Sequence, residues 1–262
     1  MGDTLEDEEE ISKVLFELSS NRRASILLKV GQQSLKMQQI AHALDITMTE
    51  TFRHLQRLSD AKLVEKKVDG AYAITPLGKL AISFLSGFNF ILKNSEYFLE
   101  HDVFCLPYEL VNRLSELSSG DLGKEVLPNL NRVTIIVSDA QEYLWVITDQ
   151  LDMNTVKITT EKLFKGLKFR LIMQQNLLPT AKAIPGAEQN IARRILATTN
   201  IGLLMNEKEA FITFRRVDGR MDYAGFFGTN KVFRKWVGDL FLYYWEKAER
   251  WYPDIELNKN AP

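Results

Sequence analysis

Thr47-Met48-Thr49-Glu50-Thr51-Phe52-Arg53-His54-Leu55-Gln56-Arg57-Leu58 opens on a threonine with a glutamate three residues later. That is the spacing of a capping box, in which the hydroxyl accepts from the Glu50 amide and the carboxylate accepts from the Thr47 amide. A helix therefore starts here. At about 100° per residue it gathers Met48, Phe52, Leu55 and Leu58 on one face and Thr49, Glu50, Arg53, Arg57 and Asp60 on the other. Upstream, residues 38–43 form a short helical run, followed by the turn Leu44-Asp45-Ile46. Downstream, residues 62–68 and 71–74 lean to strand and are joined by Asp69-Gly70, a pair suited to a type I′ hairpin. A helix-turn-helix followed by a hairpin is a winged helix. Residues 11–18 and 24–30, apolar at helical spacing, supply its first two helices, with Asn21 as cap and Gly31 as stop of the second.

The run "TFRHLQRLSDAKLVEKKVDGAYAITPLG" at residues 51–78 resembles the recognition helix and wing of the arsenical-repressor-like winged-helix regulators. Arg53-His54-Leu55, Leu63-Val64, Gly70 and Thr75-Pro76-Leu77-Gly78 stand at the family's places. Lys62 departs from it, standing where such proteins often carry glycine, so it must hold the helix exit without glycine's conformational freedom. The resemblance implies double-stranded DNA as partner. In that arrangement Thr49, Arg53 and Arg57, flanked by His54 and Gln56, face the major groove, while Lys66 and Lys67 on the wing meet phosphate or the minor groove. Arg22 and Arg23 oppose the macrodipole at a helix start, and either contact phosphate or lie on a solvated face.

The 262 residues are 45% hydrophobic, enough for two domains with real cores. A formal net charge of -1 does not by itself mark a nucleic-acid binder, but the distribution is uneven. Six acids and no base fall in residues 3–10, whereas residues 13–74 hold 10 bases against 6 acids. The acidic start, 1–10, is expected to be disordered, and 11–78 to be the DNA-binding domain. The single cysteine, Cys105, excludes an intramolecular disulfide framework and fits a reducing compartment. Residues 80–92 form the longest apolar run, too short and too interrupted to span a bilayer. With no basic, apolar leader at the start, the expected location is cytoplasmic, with no membrane partner.

Residues 79–100 are expected to be a linker helix. Leu80, Phe84, Phe88 and Ile91 lie along it, with Leu77 and Phe98 in the same pattern. The stripe is expected to pair with its mate in a homodimer, as two half-sites about 34 Å apart would require; the alternative is burial against the chain's own second domain.

From 101 to 255 the pattern suits an α/β domain, with 256–262 a tail. Expected elements are a Pro-initiated helix at 106–117, a loop at 120–128, strands at 142–148 and 167–173 around a helix at 154–165, and a helix at 187–196. A hairpin (201–205 with 210–215), a strand at 223–227 and a closing helix at 230–251 follow. Residues 132–137, Arg-Val-Thr-Ile-Ile-Val, favour a strand on propensity.

The pieces "HDVFCLPYELVNRLSEL", "SDAQEYLWVITDQ", "EKLFKGLKFRLIM", "GLLMNEKEAFITF" and "FRKWVGDLFLYYWEKAE" resemble the C-terminal domain of archaeal regulators typified by the methanogen filamentation regulator. More distantly they are similar to the sugar-sensing domain of the archaeal trehalose/maltose regulators. The resemblance implies a phospholipase-D-like, non-catalytic α/β sensor with a helix before Glu142, and that helix is the expectation, against propensity. The fold class read from the whole chain is α+β: winged helix, linker helix, α/β sensor.

Catalysis has no visible residues. None of His42, His54 and His101 is followed by lysine two residues on, as phospholipase-D chemistry needs, and no Gly-rich phosphate loop occurs. His42 and His54 lack partners at ligand spacing. Cys105 has only His101 nearby, either a regulatory pair or a structural thiol. No metal, cofactor or enzymatic activity is expected. A small-molecule effector is, in a crevice at the carboxyl ends of parallel strands, where Thr148, Asp149, Gln174 and Gln175 mark the rim and Tyr143, Trp145, Arg170, Arg215 and Tyr223 line it if their alternation points inward. Otherwise these aromatics are core and the arginines solvated. The rival from another class is a protein-interaction module with a ligand-free dimerisation domain.

Overall fold

The computed structural model describes residues 3–181 and 188–252. The tail expected at 256–262 and residue 187 of the expected helix lie outside the described residues. The chain separates into two compact units, Met1–Asn89 and Phe90–Pro262.

Unit 1 runs α1 (Asp3–Leu18), α2 (Asn21–Gln32), β1 (Leu35–Lys36), α3 (Met37–Leu44), α4 (Met48–Asp60), β2 (Val64–Lys66) and β3 (Ala71–Ile74), and then enters α5 (Pro76–Lys93). The strands form an antiparallel sheet in the order β1-β3-β2. Helix α1 begins at Asp3, within the acidic start. Ser20, not Asn21, caps α2 by accepting from the Arg23 amide. Gly31 does not stop that helix. It sits where a Cβ would come within 2.9 Å of the Ile82 side chain, so its smallness serves packing.

Helix α4 carries the expected capping box: the Thr47 hydroxyl accepts from the Glu50 amide at 3.2 Å and the Glu50 carboxylate accepts from the Thr47 amide at 3.0 Å. Its exit is a Schellman motif. The Leu63 amide donates to Leu58 O and the Lys62 amide to Ser59 O, with Lys62 at φ 58, the left-handed position glycine usually fills. The hairpin turn differs from expectation. Of its residues only Gly70 has positive φ (82), whereas type I′ needs it at both central positions. The Gly70 amide donates to Lys67 O and the Lys67 amide to Ala71 O, giving a three-residue loop with glycine at the left-handed site. Thr75-Pro76-Leu77-Gly78 then starts α5: the Thr75 hydroxyl accepts from the Gly78 amide, and a Cβ on Gly78 would sit 2.2 Å from Leu63 O.

Unit 2 contains α6 (Ser95–Glu100), α7 (Tyr108–Val111), β4 (Asp121–Gly123), α8 (Val126–Asp139), β5 (Tyr143–Thr148), α9 (Met153–Phe164), β6 (Lys168–Gln174), α10 (Leu178–Ala181), β7 (Ile191–Leu196), β8 (Ile201–Asn206), β9 (Ala210–Phe214), β10 (Gly225–Gly228), α11 (Lys231–Lys247) and β11 (Glu249–Trp251). The sheet order is β11-β7-β6-β5-β8-β9-β10-β4, parallel only across β5, β6 and β7. One face packs Phe233, Trp236, Val237, Leu240 and Phe241 of α11, together with Leu110, Leu114 and Leu117. The other packs Ile136 and Val137 of α8 and Ile158 of α9. This is a mixed α+β chain.

The segment before Glu142 follows the resemblance, and other expectations for unit 2 change. Residues 132–137 are helical: Val133, Ile136 and Val137, at helical spacing, pack with Leu204, Phe211 and Phe227, and Arg132 pairs with Glu209. Residues 191–196 are a strand instead of a helix, because β7 fills the place between β6 and β11 and its backbone groups pair with both. Residues 106–117 break into α7 and a 3-10 turn, Leu114–Ser119. The closing helix stops at Lys247, and β11 follows. The loop at 120–128 also holds β4 and the first turn of α8, and the strand expected at 223–227 begins at Gly225.

Candidate functional site

The core seats α4 through Thr51, Leu55 and Leu58. Thr51 tolerates burial because its hydroxyl donates to Thr47 O at 2.8 Å. The buried line therefore runs 51-55-58, and Met48 and Phe52, placed on the buried face by their spacing, are exposed instead; Phe52 is 52% exposed. The outer surface of α4 holds Met48, Thr49, Phe52, Arg53 and Gln56. Gln56 donates to Asp60 at 2.9 Å, and Arg53 makes no hydrogen bond or ion pair among the described residues. His54 is half-buried, and desolvation, followed by the nearby Arg23 and Arg53, lowers its pKa, so it is neutral at pH 7.

Two of the residues expected at the DNA are paired within the chain. Arg57 clasps Glu17 of α1 with two parallel bonds (2.9 and 2.6 Å) and lies over the Phe16 ring. Arg23 is buried, pairs with the same carboxylate at 2.9 Å and donates to Phe16 O. The Arg57 bond holds Glu17 below the usual carboxylate range. Sequence periodicity could not show this, because Glu17 and Arg57 stand 40 residues apart. Arg22 is exposed and donates to Leu44 O. On the wing Lys66 lies over Tyr72 and Lys67 pairs with Glu65, both exposed, while Val68 at the tip is fully exposed.

In unit 2 a cavity of about 680 Å³ opens between α8, α9 and the sheet. Its walls are mainly aliphatic and aromatic, with Val133, Val146, Phe169 and Phe211 among them. Thr148 and Tyr223 line it. Tyr223 has a strained φ of 57 and donates its hydroxyl to Asp149 at 2.9 Å; burial and that carboxylate push its pKa up.

The other expected pocket residues lie elsewhere. Tyr143 and Trp145 stack toward α11, with Trp145 4.8 Å from Phe241, and Arg170 is held between Trp145 and Trp245. Gln174, at the end of β6, does not line the cavity, and Arg215 is tied to the carbonyls of Thr199 and Gly219. On β5 and β6 the cavity takes Leu144, Val146, Thr148, Phe169 and Leu171, the alternate set to Tyr143, Trp145 and Arg170, together with Ile147. A one-residue phase selects the opposite face.

His101 is a satisfied core side chain, stacked on Tyr97 and bonded to Tyr97 O and Asp222. The Cys105 thiol donates to Asp102 O, and burial pushes its pKa up to about 11, so it is not a poised nucleophile. Among the described residues no group of three or more His, Cys, Asp or Glu could hold a metal, and no helix is long and apolar enough to cross a membrane.

No family model matches the sequence, and no curated protein does. Among solved structures the chain is similar to TrmBL2, described as an archaeal chromatin protein with a novel mode of DNA binding: 16% identity, 88% of this chain and 92% of that one, TM-score 0.43. It is also similar to NucT from Helicobacter pylori (11%, covering 51% and 98%, TM-score 0.38). A third likeness is to Nuc, a phospholipase D family member from Salmonella typhimurium (7%, covering 47% and 90%, TM-score 0.36). At these TM-scores none of the likenesses carries an argument about function.

Proposed function

We propose that the chain is a sequence-specific DNA-binding regulator of transcription, with α4 as recognition helix and the β2–β3 wing on the DNA backbone. The observation that carries this reading is the presentation of α4: capped at Thr47, seated by Leu55 and Leu58, and exposing Thr49, Arg53 and Gln56 outward. These side-chain types suit base edges, arginine toward guanine and glutamine toward adenine. The wing lysines suit phosphate, and the Lys67–Glu65 pair, exposed and weak, exchanges readily for one. Arg57, clasped by Glu17, serves to hold α4 against α1 and is not a base reader.

Homodimerisation along α5 completes the reading. Leu80, Phe84, Phe88 and Ile91 are exposed, Phe84 at 79%, and a two-fold axis would present two recognition helices to two half-sites. The effector site is assigned to the cavity between α8, α9 and the sheet, whose volume falls in the range of small-molecule sites, about 300–1,000 Å³.

One observation favours a second reading, a winged helix that docks protein: Met48, Phe52 and Val68 are apolar and exposed on the presented surface.

The discriminating experiment compares Arg53→Ala and Lys67→Ala on specific and random duplexes. Arg53→Ala is expected to lose about 1–3 kcal/mol on the specific site alone, and Lys67→Ala to weaken all sequences alike and reduce the salt slope by about one. Binding that ignores both substitutions would favour protein docking.

A further inference from the structure

Phe52 is the residue of α4 whose position the sequence pattern least explains. Its spacing from Met48 and Leu55 would bury it, yet the core is closed by Thr51, Leu55 and Leu58, and half of the Phe52 surface stays open. It shares the outer surface with polar side chains suited to base edges: Thr49 three residues before it, Arg53 next to it and Gln56 one turn after. An exposed phenyl ring on a helix of 13 residues leaves apolar area in water that no contact among the described residues removes. The major groove offers hydrogen-bond donors and acceptors at every base pair, but the distinctive apolar group on a base edge there is the 5-methyl of thymine.

We propose that Phe52 is a specificity residue that reads thymine through its methyl group, beside the polar contacts of Thr49, Arg53 and Gln56. Met48, exposed one turn earlier, flanks the same contact. The inference rests on α4 entering the major groove and adds which base the operator must hold next to the arginine and glutamine contacts.

The test uses the duplex enriched from genomic DNA by the full chain. Each thymine is replaced in turn by deoxyuridine, which keeps the hydrogen-bonding edge and lacks only the methyl. Wild-type affinity is expected to fall about three- to fivefold at one or two thymines per half-site, the size of burying one methyl-sized group. Phe52→Ala is expected to bind the thymine duplex more weakly and to show no further loss with deoxyuridine at those positions. Its melting curve serves as control for folding, which an exposed position should leave intact.

The proposal is overturned if no thymine is sensitive, or if deoxyuridine costs Phe52→Ala as much as wild type, since additive losses mean the ring touches something else. It is also overturned if Phe52→Ala binds every duplex as wild type does but loses a protein partner. Failure to enrich any sequence would sink the DNA-binding reading itself, whereas enrichment with thymine-insensitive binding would sink only the role of Phe52.

Discussion

Lys62 occupies a left-handed conformation at the end of α4, where the Schellman bonds to Ser59 O and Leu58 O require it. An L-residue there costs about 1–2 kcal/mol, from which glycine's extra flexibility in the unfolded chain subtracts a part. Lys62→Gly is therefore expected to stabilise the chain by about 0.5–1 kcal/mol in urea unfolding followed by circular dichroism; no change, or a loss, would show that the lysine side chain contributes more than its backbone costs. This position was legible from the sequence as a departure from a glycine. Thr47 and Glu50 were legible too, because a capping box is local chemistry at fixed spacing. Phe52 was not: a Phe at helical spacing from Leu55 is apolar whether it faces the core or the groove, and only the burial of Thr51 decides it.

At the scale of elements, α1 and α4 are clipped together by Glu17, which receives Arg57 and Arg23 at once and is 13% exposed. The bond from Arg57 depresses the Glu17 pKa below its usual value near 4.5. A depressed carboxylate adds stability that is present above that usual value and lost as pH falls through the folded-state pKa. Glu17→Gln should thus lower the urea midpoint at pH 7, with the gap to wild type closing as the pH falls through that acid range; a gap constant with pH would contradict the clip. Elements whose partners are local were readable from sequence: α9 with Gly166 after it, and the β8–β9 hairpin. Those decided by distant partners were not. Residues 191–196 carry Ile191 and Ile195 at helical spacing, yet β6 and β11 draw them into the sheet. Residues 132–137 favour a strand on propensity alone, and only the family resemblance pointed to the helix that packs on Leu204, Phe211 and Phe227. Of the expected pocket residues Thr148 and Tyr223 line the cavity, whereas Tyr143, Trp145 and Arg170 do not, because strand alternation gives two faces and which one is left partly uncovered depends on where α8, α9 and α11 lie.

At the scale of the whole molecule, a net charge of -1 gives little hint of a nucleic-acid partner, whereas the excess of basic residues in 13–74 coincides with the unit that carries the helix-turn-helix and wing. In the proposed reading the exposed stripe on α5 pairs two copies about the two-fold axis needed to read a long site, and the cavity in unit 2 is where a ligand would bind. The most direct measurement is selection of genomic DNA fragments on the purified full chain, with affinity followed across salt concentration. The account predicts an enriched, two-fold-related sequence whose preference over random DNA survives at high salt. Salt-dependent binding with no enriched sequence would contradict it.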